Sequence, residues 1–179
     1  MRSVQRAVRE AERLLQQANV VSAPVKVDRI AEKWAHVLER ALDSDISGML
    51  VPLPHSVDGK KWAIVVNKSH SAVRRRFTIA HELGHLLLHG YKSAHADRAF
   101  KVRLRDSHSS EGSVLEEVEA NRFAAELLMP THLLRQKLAN HSIEYAPAGG
   151  SADREIAHLA REFNVSTQAL QIRLSTLLV

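Results

Sequence analysis

The sequence predicts an α+β fold, with helices toward both ends and a small antiparallel sheet between them. Three observations carry that prediction. Apolar residues recur at three- and four-residue intervals near both ends of the chain, short runs rich in β-branched residues fill the stretch 37–66, and a long, densely apolar helical run follows at 71–89. With 179 residues, 45% of them apolar and 25% charged, the chain is long enough for one cored domain and too short for several, and its composition excludes wholesale disorder.

The elements follow in order. Val4, Ala7, Val8, Ala11, Leu14, Leu15 and Ala18 form one apolar stripe among Arg and Glu, which makes the first segment an amphipathic helix. Asp28 is a plausible N-cap for a short second helix with Ile30, Ala31 and Trp34 on one side. Strands are predicted at 37–42, 46–53 and 61–66, the last two joined by a turn at Asp58 and Gly59. The run 71–89 reads as a mostly buried helix ended by Gly90. The polar stretch 91–112 is longer than connections usually are and reads as a flexible or functional loop. Helix resumes at 113–129, Pro130 opens another helical turn, and helices at 153–163 and 166–178 close the chain. The expected organisation is a main domain over 1–145, a linker at 146–152 (around APAGGS) and a C-terminal helical pair over 153–179.

Composition narrows the chemistry. No stretch approaches the roughly 20 apolar residues of a membrane span, and the charged first segment has no signal-peptide core, so the expected setting is cytoplasmic, away from membranes. The absence of cysteine excludes disulfides, thiolate metal ligands and a cysteine nucleophile, so any metal must be held by His, Asp or Glu. Lys and Arg exceed Asp and Glu by 25 to 20, a mild excess of +5 compatible with an acidic partner. Aromatics at 4% leave little for a base-stacking surface. The unusual feature is 11 histidines.

Within the long helix stand His81, Glu82, Leu83, Gly84 and His85, the pattern H-E-x-x-H. Residues four apart share a helix face, so both imidazoles can meet one metal ion. Glu82 lies beside that face, where its carboxylate can reach a metal-bound water and serve as general base. Phe77, Ile79, Ala80, Leu83, Leu86, Leu87 and Leu88 surround the motif, so histidines without partners there would each cost roughly 1–3 kcal/mol of desolvation. Gly84 inside a helix costs about 1 kcal/mol against Ala, which implies that something packs close to its backbone.

Catalytic zinc usually has three protein ligands and an open position. The next helix offers Glu116, Glu117, Glu119 and Glu126, and its buried stripe is read from Val118, Phe123, Ala124 and Leu127. Glu117 flanks that stripe and has Asn121 four residues on, able to hydrogen-bond its carboxylate. Glu119 is the rival ligand. His89, one turn beyond His85, reads as supporting a ligand or lying at the surface instead of being a ligand, because three ligands on one helix would strain the site. Arg74, Arg75 and Arg76 read as the solvated start of the helix, with one able to pair with a glutamate or touch a peptide. Tyr91, His95 and His108 are candidates for stabilising an oxyanion.

The segments RRRFTIAHELGHLLLH and EEVEANRFAAELLMP, in that order and preceded by ISGML and WAIVVN, resemble the ImmA/IrrE family of metallopeptidases over about 25–138. The resemblance implies a thermolysin-like, gluzincin-type zincin core: a small sheet flanking the motif helix, with a Glu on a later helix completing a Zn²⁺ site. It implies that His81, His85 and Glu117 bind the metal, with Glu117 placed by its position relative to FAAELLMP, and that Glu82 is the catalytic base. It also implies a cytosolic endopeptidase that cuts helix-turn-helix repressors. A strand at 46–51, if at the sheet edge, would align an extended peptide by strand pairing. The long loop at 91–112 departs from the family pattern.

The C-terminal segment REIAHLAREFNVSTQALQIRLSTLLV is helix-turn-helix-like, with Ala160, Phe163, Val165 and Leu170 at core spacing and Ser166 as a cap. Its second helix offers Gln168, Gln171 and Arg173 instead of a basic stripe, so a structural pair is favoured over DNA binding. Two rival functions remain: a binding partner of a repressor or toxin that does not cut, and a DNA-binding regulator acting through these helices.

Overall fold

The first helix, α1 (Arg2–Gln17), forms as its periodicity requires, with Ala7, Ala11, Leu14 and Leu15 buried. The computed structural model describes residues 2–90, 95–98, 111–140 and 151–177, with side chains described for 3–90, 114–139 and 153–177. Residues 146–150 of the linker expected at 146–152, Tyr91, His108 and most of the 91–112 stretch lie outside the described residues, as does the His95 side chain, while residues 151 and 152 belong to a helix. Helix α2 (Val27–Ala31) buries Ile30 and Ala31, but its N-cap is Lys26. Asp28 instead sits in the first turn, where its charge complements the helix dipole. Trp34, expected on one side of this helix with Ile30 and Ala31, falls beyond its end and is 38% exposed.

The sheet corrects the antiparallel expectation. Strands β1 (His36–Arg40), β2 (Ile46–Val57), β3 (Lys60–Asn67) and β4 (His95–Arg98) lie in the order β1-β3-β2-β4. The β2–β3 hairpin is antiparallel and turns at Asp58 and Gly59, both at positive φ, as a tight two-residue hairpin demands. Strand β1, however, pairs with the far side of β3 and runs parallel to it. The reason is the 41–45 connection, which crosses the end of β3 and is pinned there by buried Asn67, whose Nδ2 donates to the carbonyls of Leu42, Asp43 and Ile46 at 3.2, 3.1 and 3.0 Å. Strand β4 lies within the stretch expected to be loop and pairs antiparallel with β2 along Ile46–Leu50. Among the described residues, Ile46–Leu50 is therefore flanked by β4 and β3 and offers no free edge for peptide pairing.

Helix α3 (Ala72–His89) starts at Ser71, whose Oγ accepts from the Arg74 N–H, and ends at Gly90 in the left-handed region. Its first turn is less solvated than expected. Arg74 donates to Ser47 Oγ, Arg75 pairs with Glu39 at 3.1 Å, and Arg76 donates to the carbonyls of Val25 and Asn164. The helix lies on the sheet face where the cross-strand pairs Gly48–Val66 and Leu50–Ile64 point inward. Helix α4 (Glu111–Leu128) packs on both α3 and α1, and α5 (Thr131–Asn140) follows Pro130. On α4 the buried residues are Ala120, Phe123, Ala124, Leu127 and Leu128, whereas Val118 is 46% exposed. At 100° per residue Val118 stands nearly opposite Ala120, so the true stripe excludes it.

Helices α6 (Ser151–Phe163) and α7 (Thr167–Leu177) bring Leu159, Ala160, Phe163, Val165 and Leu170 into the same apolar core as Ala11, Leu50, Leu83 and Phe123. Ser166 Oγ accepts from the Ala169 N–H and caps α7. Arg173 does not face outward. It is 2% exposed, ion-paired with Glu126, and donates to Thr131 Oγ1 at 2.8 Å and to the Met129 carbonyl. Among the described residues, no helix is long and apolar enough to cross a membrane.

Candidate metal centre

The motif residues are placed by one helix pair. His81 and His85, one turn apart on α3, bring their Nε2 atoms to 2.9 Å from each other. Glu117 on α4 places Oε2 3.5 Å from His81 Nε2 and Oε1 3.4 Å from His85 Nε2. One ligand atom from each of these three residues lies within 4.8 Å of the others. Ligand atoms roughly 2.0–2.1 Å from a tetrahedral metal stand about 3.3 Å from one another, so separations of 2.9, 3.4 and 3.5 Å bracket that spacing. Two imidazoles and one carboxylate, with no thiolate, form a donor set suited to Zn²⁺.

Burial makes the arrangement consequential. His85 is fully buried, His81 is 3% exposed and the Glu117 side chain 17%. Burial pushes the Glu117 carboxyl up, but hydrogen bonding and positive charge from His81 and His85 outweigh that and hold it well below the usual carboxylate range. The site therefore favours an ionised Glu117 facing positive charge, which either protonated imidazoles or a bound cation can supply.

Two close approaches lock this geometry. A Cβ added to Gly84 would stand 2.9 Å from Phe123 Cδ1 and 3.3 Å from the Ala120 Cα, so the glycine lets α4 come near enough for Glu117 to reach the histidines. This is the close packing that a mid-helix glycine implied. Gly48 on β2 had drawn no attention in the sequence, yet its added Cβ would fall 2.3 Å from Thr78 Cγ2 and 3.4 Å from Glu82 Oε1. Glu82, fully buried, thus extends from α3 toward β2 at a point where only a hydrogen fits. A glycine amid an apolar strand was the available signal.

The surrounding polar groups differ from expectation in one respect. Asn121 does support the site, but its Oδ1 lies 3.1 Å from His81 Nδ1, the reach expected toward Glu117 having gone to the histidine. In the neutral ring, donating that N–H leaves the His81 lone pair on Nε2, the end that faces Glu117 and that a bound cation would meet. Phe77 stacks near the same ring. Glu119, the rival ligand, lies across the α4 stripe from Glu117, with Oε2 2.9 Å from His89 Nε2, and His89 Nδ1 is 3.1 Å from His85 Nδ1. Glu126 is bound to Arg173 and Thr131, remote in function from the histidines.

A buried H-E-x-x-H helix joined by a carboxylate from the following helix defines the architecture of metal-dependent hydrolases. The profile of the IrrE N-terminal-like domain, a peptidase family, matches residues 37–175. The chain belongs to the ImmA/IrrE family. It is 37% identical over 117 residues to the radiation response metalloprotease IrrE of Deinococcus deserti, a match covering 63% of this chain and 36% of that protein. The chain thus spans about a third of the length of that relative. It is 30% identical over 142 residues to the uncharacterized immunity region protein 2 of Bacillus phage phi105, covering 74% of this chain and 85% of the phage protein. A solved Mycobacterium tuberculosis transcriptional regulator shares the fold, with a TM-score of 0.59 and 18% identity over 96% of this chain and 46% of that one.

Proposed function

We propose that this chain is a zinc-dependent endopeptidase of cytoplasmic setting, with Zn²⁺ held by His81, His85 and Glu117 and with Glu82 as general base, acting on a helix-turn-helix repressor. The observation that carries the reading is the convergence of His81, His85 and Glu117 at a buried point, with the Glu82 carboxylate one residue away on the same helix. A divalent cation bound there supplies Lewis-acid polarisation of the scissile carbonyl and makes a neighbouring water more acidic. Glu82 takes the proton of the attacking water on a carboxylate oxygen and returns it to the leaving amine nitrogen. Asn121 keeps the His81 ring in the tautomer and orientation the site requires. The burial of His81, Glu82 and His85 lowers the local dielectric and strengthens each of these interactions.

The substrate class draws support from the relatives, one named for a phage immunity region and a structural neighbour named as a transcriptional regulator. Cleavage requires a segment that can be drawn into extended form, because helical backbone is already hydrogen-bonded. Against a DNA-binding regulator, Arg173 is the single basic residue of α7 and it is buried against Glu126, leaving Gln168, Gln171 and Ile172 outward. The non-cleaving binding module lacks a use for an intact Glu82.

The test is to incubate the protein and zinc with a helix-turn-helix repressor encoded nearby and to follow the repressor by mass spectrometry. One new cut is expected with the wild-type chain. With Glu82→Gln, which keeps the shape but is a far weaker base, cleavage should fall by about 10²–10⁴-fold or more while zinc stays bound. A repressor that binds tightly yet stays intact, with its DNA or an inducing signal supplied, favours the binding module.

A further inference from the structure

His81 and His85 stand one turn apart on α3, yet they are held from behind by unlike partners. An amide backs His81, whereas a second histidine and a carboxylate back His85. We infer that His89 and Glu119 are a positioning pair that fixes the tautomer of His85 and thereby sets the metal affinity of the centre; the inference rests on the metal-binding reading above.

The protons follow from the carboxylate end. Glu119 Oε2 lies 2.9 Å from His89 Nε2, with the two side chains 8% and 4% exposed. A carboxylate accepts and does not donate, so His89 Nε2 carries the hydrogen. In a neutral ring the other nitrogen is then an acceptor, and His89 Nδ1 faces His85 Nδ1 at 3.1 Å. With His85 donating there, its Nε2 keeps the lone pair on the side of His81 Nε2 and Glu117 Oε1, where a bound cation would meet it. Through His89, the Glu119 carboxylate thus biases the state of the His85 ring.

The pair spans the α3–α4 junction. His89 is the last residue of α3 and Glu119 lies on α4, so the same helix approach that delivers Glu117 to the histidines also delivers Glu119 to His89. Glu117 and Glu119 flank the buried Ala120–Phe123 stripe on opposite sides, one reaching the ligand face of the two rings and the other the end of the relay behind them. The amide of Asn121 is a weaker determinant for His81, since its two ends can exchange donor and acceptor. Removing the carboxylate or the relay histidine frees His85 to hold its hydrogen on Nε2, which leaves no lone pair on the nitrogen that faces Glu117.

The experiment measures zinc affinity of the full chain by competition with a chromophoric chelator, alongside the melting temperature of the metal-free protein and the visible spectrum of the Co²⁺ form. His89→Ala should weaken zinc binding by about 10–100-fold, the usual cost of losing such a partner. His89→Asn, whose Oδ1 stands where Nδ1 stood and can accept from His85, should recover most of it. Glu119→Ala should weaken binding in the wild-type background and add nothing in the His89→Ala background, because it acts only through His89. The Co²⁺ bands should shift in His89→Ala and return in His89→Asn. If His89→Ala does not fold, Glu119→Ala carries the same comparison. Zinc affinity unchanged in His89→Ala overturns the inference and leaves the metal site standing. So does a loss that Asn fails to recover and that matches an equal fall in metal-free melting temperature, since that marks a packing role. A wild-type chain that takes up no zinc overturns the site reading and this inference with it.

Discussion

Helix α4 carries glutamates at both ends of its buried surface, and they do opposite things. Glu117 meets two imidazoles at 3.4 and 3.5 Å. Glu126, 1% exposed, meets the guanidinium of Arg173 and the hydroxyl and N–H of Thr131, at the start of α5. The same residue type on the same helix thus serves a candidate metal centre at one end and a structural clamp at the other. The difference lies in the partner's charge. Arg173 is permanently cationic and neutralises Glu126 outright, whereas imidazoles are neutral when they offer lone pairs to a metal, so the charge of Glu117 remains available to a cation.

That contrast breaks most visibly under substitution. Glu117→Ala should remove bound zinc and with it peptide cleavage, with little change in the melting temperature of the metal-free protein; metal analysis and a thermal scan check both. Glu126→Ala should do the reverse. It strands a buried guanidinium and should cost about 3–5 kcal/mol of folding stability, measured by urea denaturation, while any folded protein keeps its zinc. Gly84→Ala probes the junction that both ends share. Overpacking against Phe123 and the Ala120 backbone costs about 1–3 kcal/mol, partly offset by about 1 kcal/mol of helix propensity, so a net loss smaller than that of Glu126→Ala is expected. Zinc affinity should fall as well, because widening the α3–α4 spacing withdraws Glu117. Val118→Ser, on the exposed side of α4, should change stability by no more than about 0.5 kcal/mol. A larger loss there would mean that the helix is rotated from the face described.

The convergence of His81, His85 and Glu117 was legible in the sequence to a degree that the sheet was not. His81, Glu82 and His85 are fixed by helical spacing alone, and helix geometry leaves them little choice of direction. Glu117 needed the family resemblance, because two glutamates two residues apart flank the stripe on either side and periodicity ranks both. Placing Val118 in that stripe was an error of about half a turn, and the fully buried Phe123 and Ala124 show where the stripe truly runs. Asn121 was identified as a supporting residue but given the wrong partner, since spacing within one helix cannot show what a neighbouring helix presents. The parallel β1–β3 pairing was hidden for a similar reason: it depends on Asn67 fastening the crossing connection, a contact more than twenty residues away. Strand β4 was invisible because its sequence, HADR, has no β-branched or aromatic residue to mark a strand. Arg173 misled as well, for an arginine amid an amphipathic helix is usually solvated, and its burial became visible only with Glu126 and Thr131 facing it.

The central claim, that the two ends of α4 divide metal binding from structural clamping, is tested most directly by counting zinc per folded chain in three proteins. Elemental analysis of the wild type, Glu117→Ala and Glu126→Gln should give about one zinc per chain, near none, and about one again. Glu126→Gln is the milder clamp variant and keeps the hydrogen-bonding shape, so folded protein should be recoverable. Full zinc occupancy in Glu117→Ala, or loss of zinc from folded Glu126→Gln, would contradict the account.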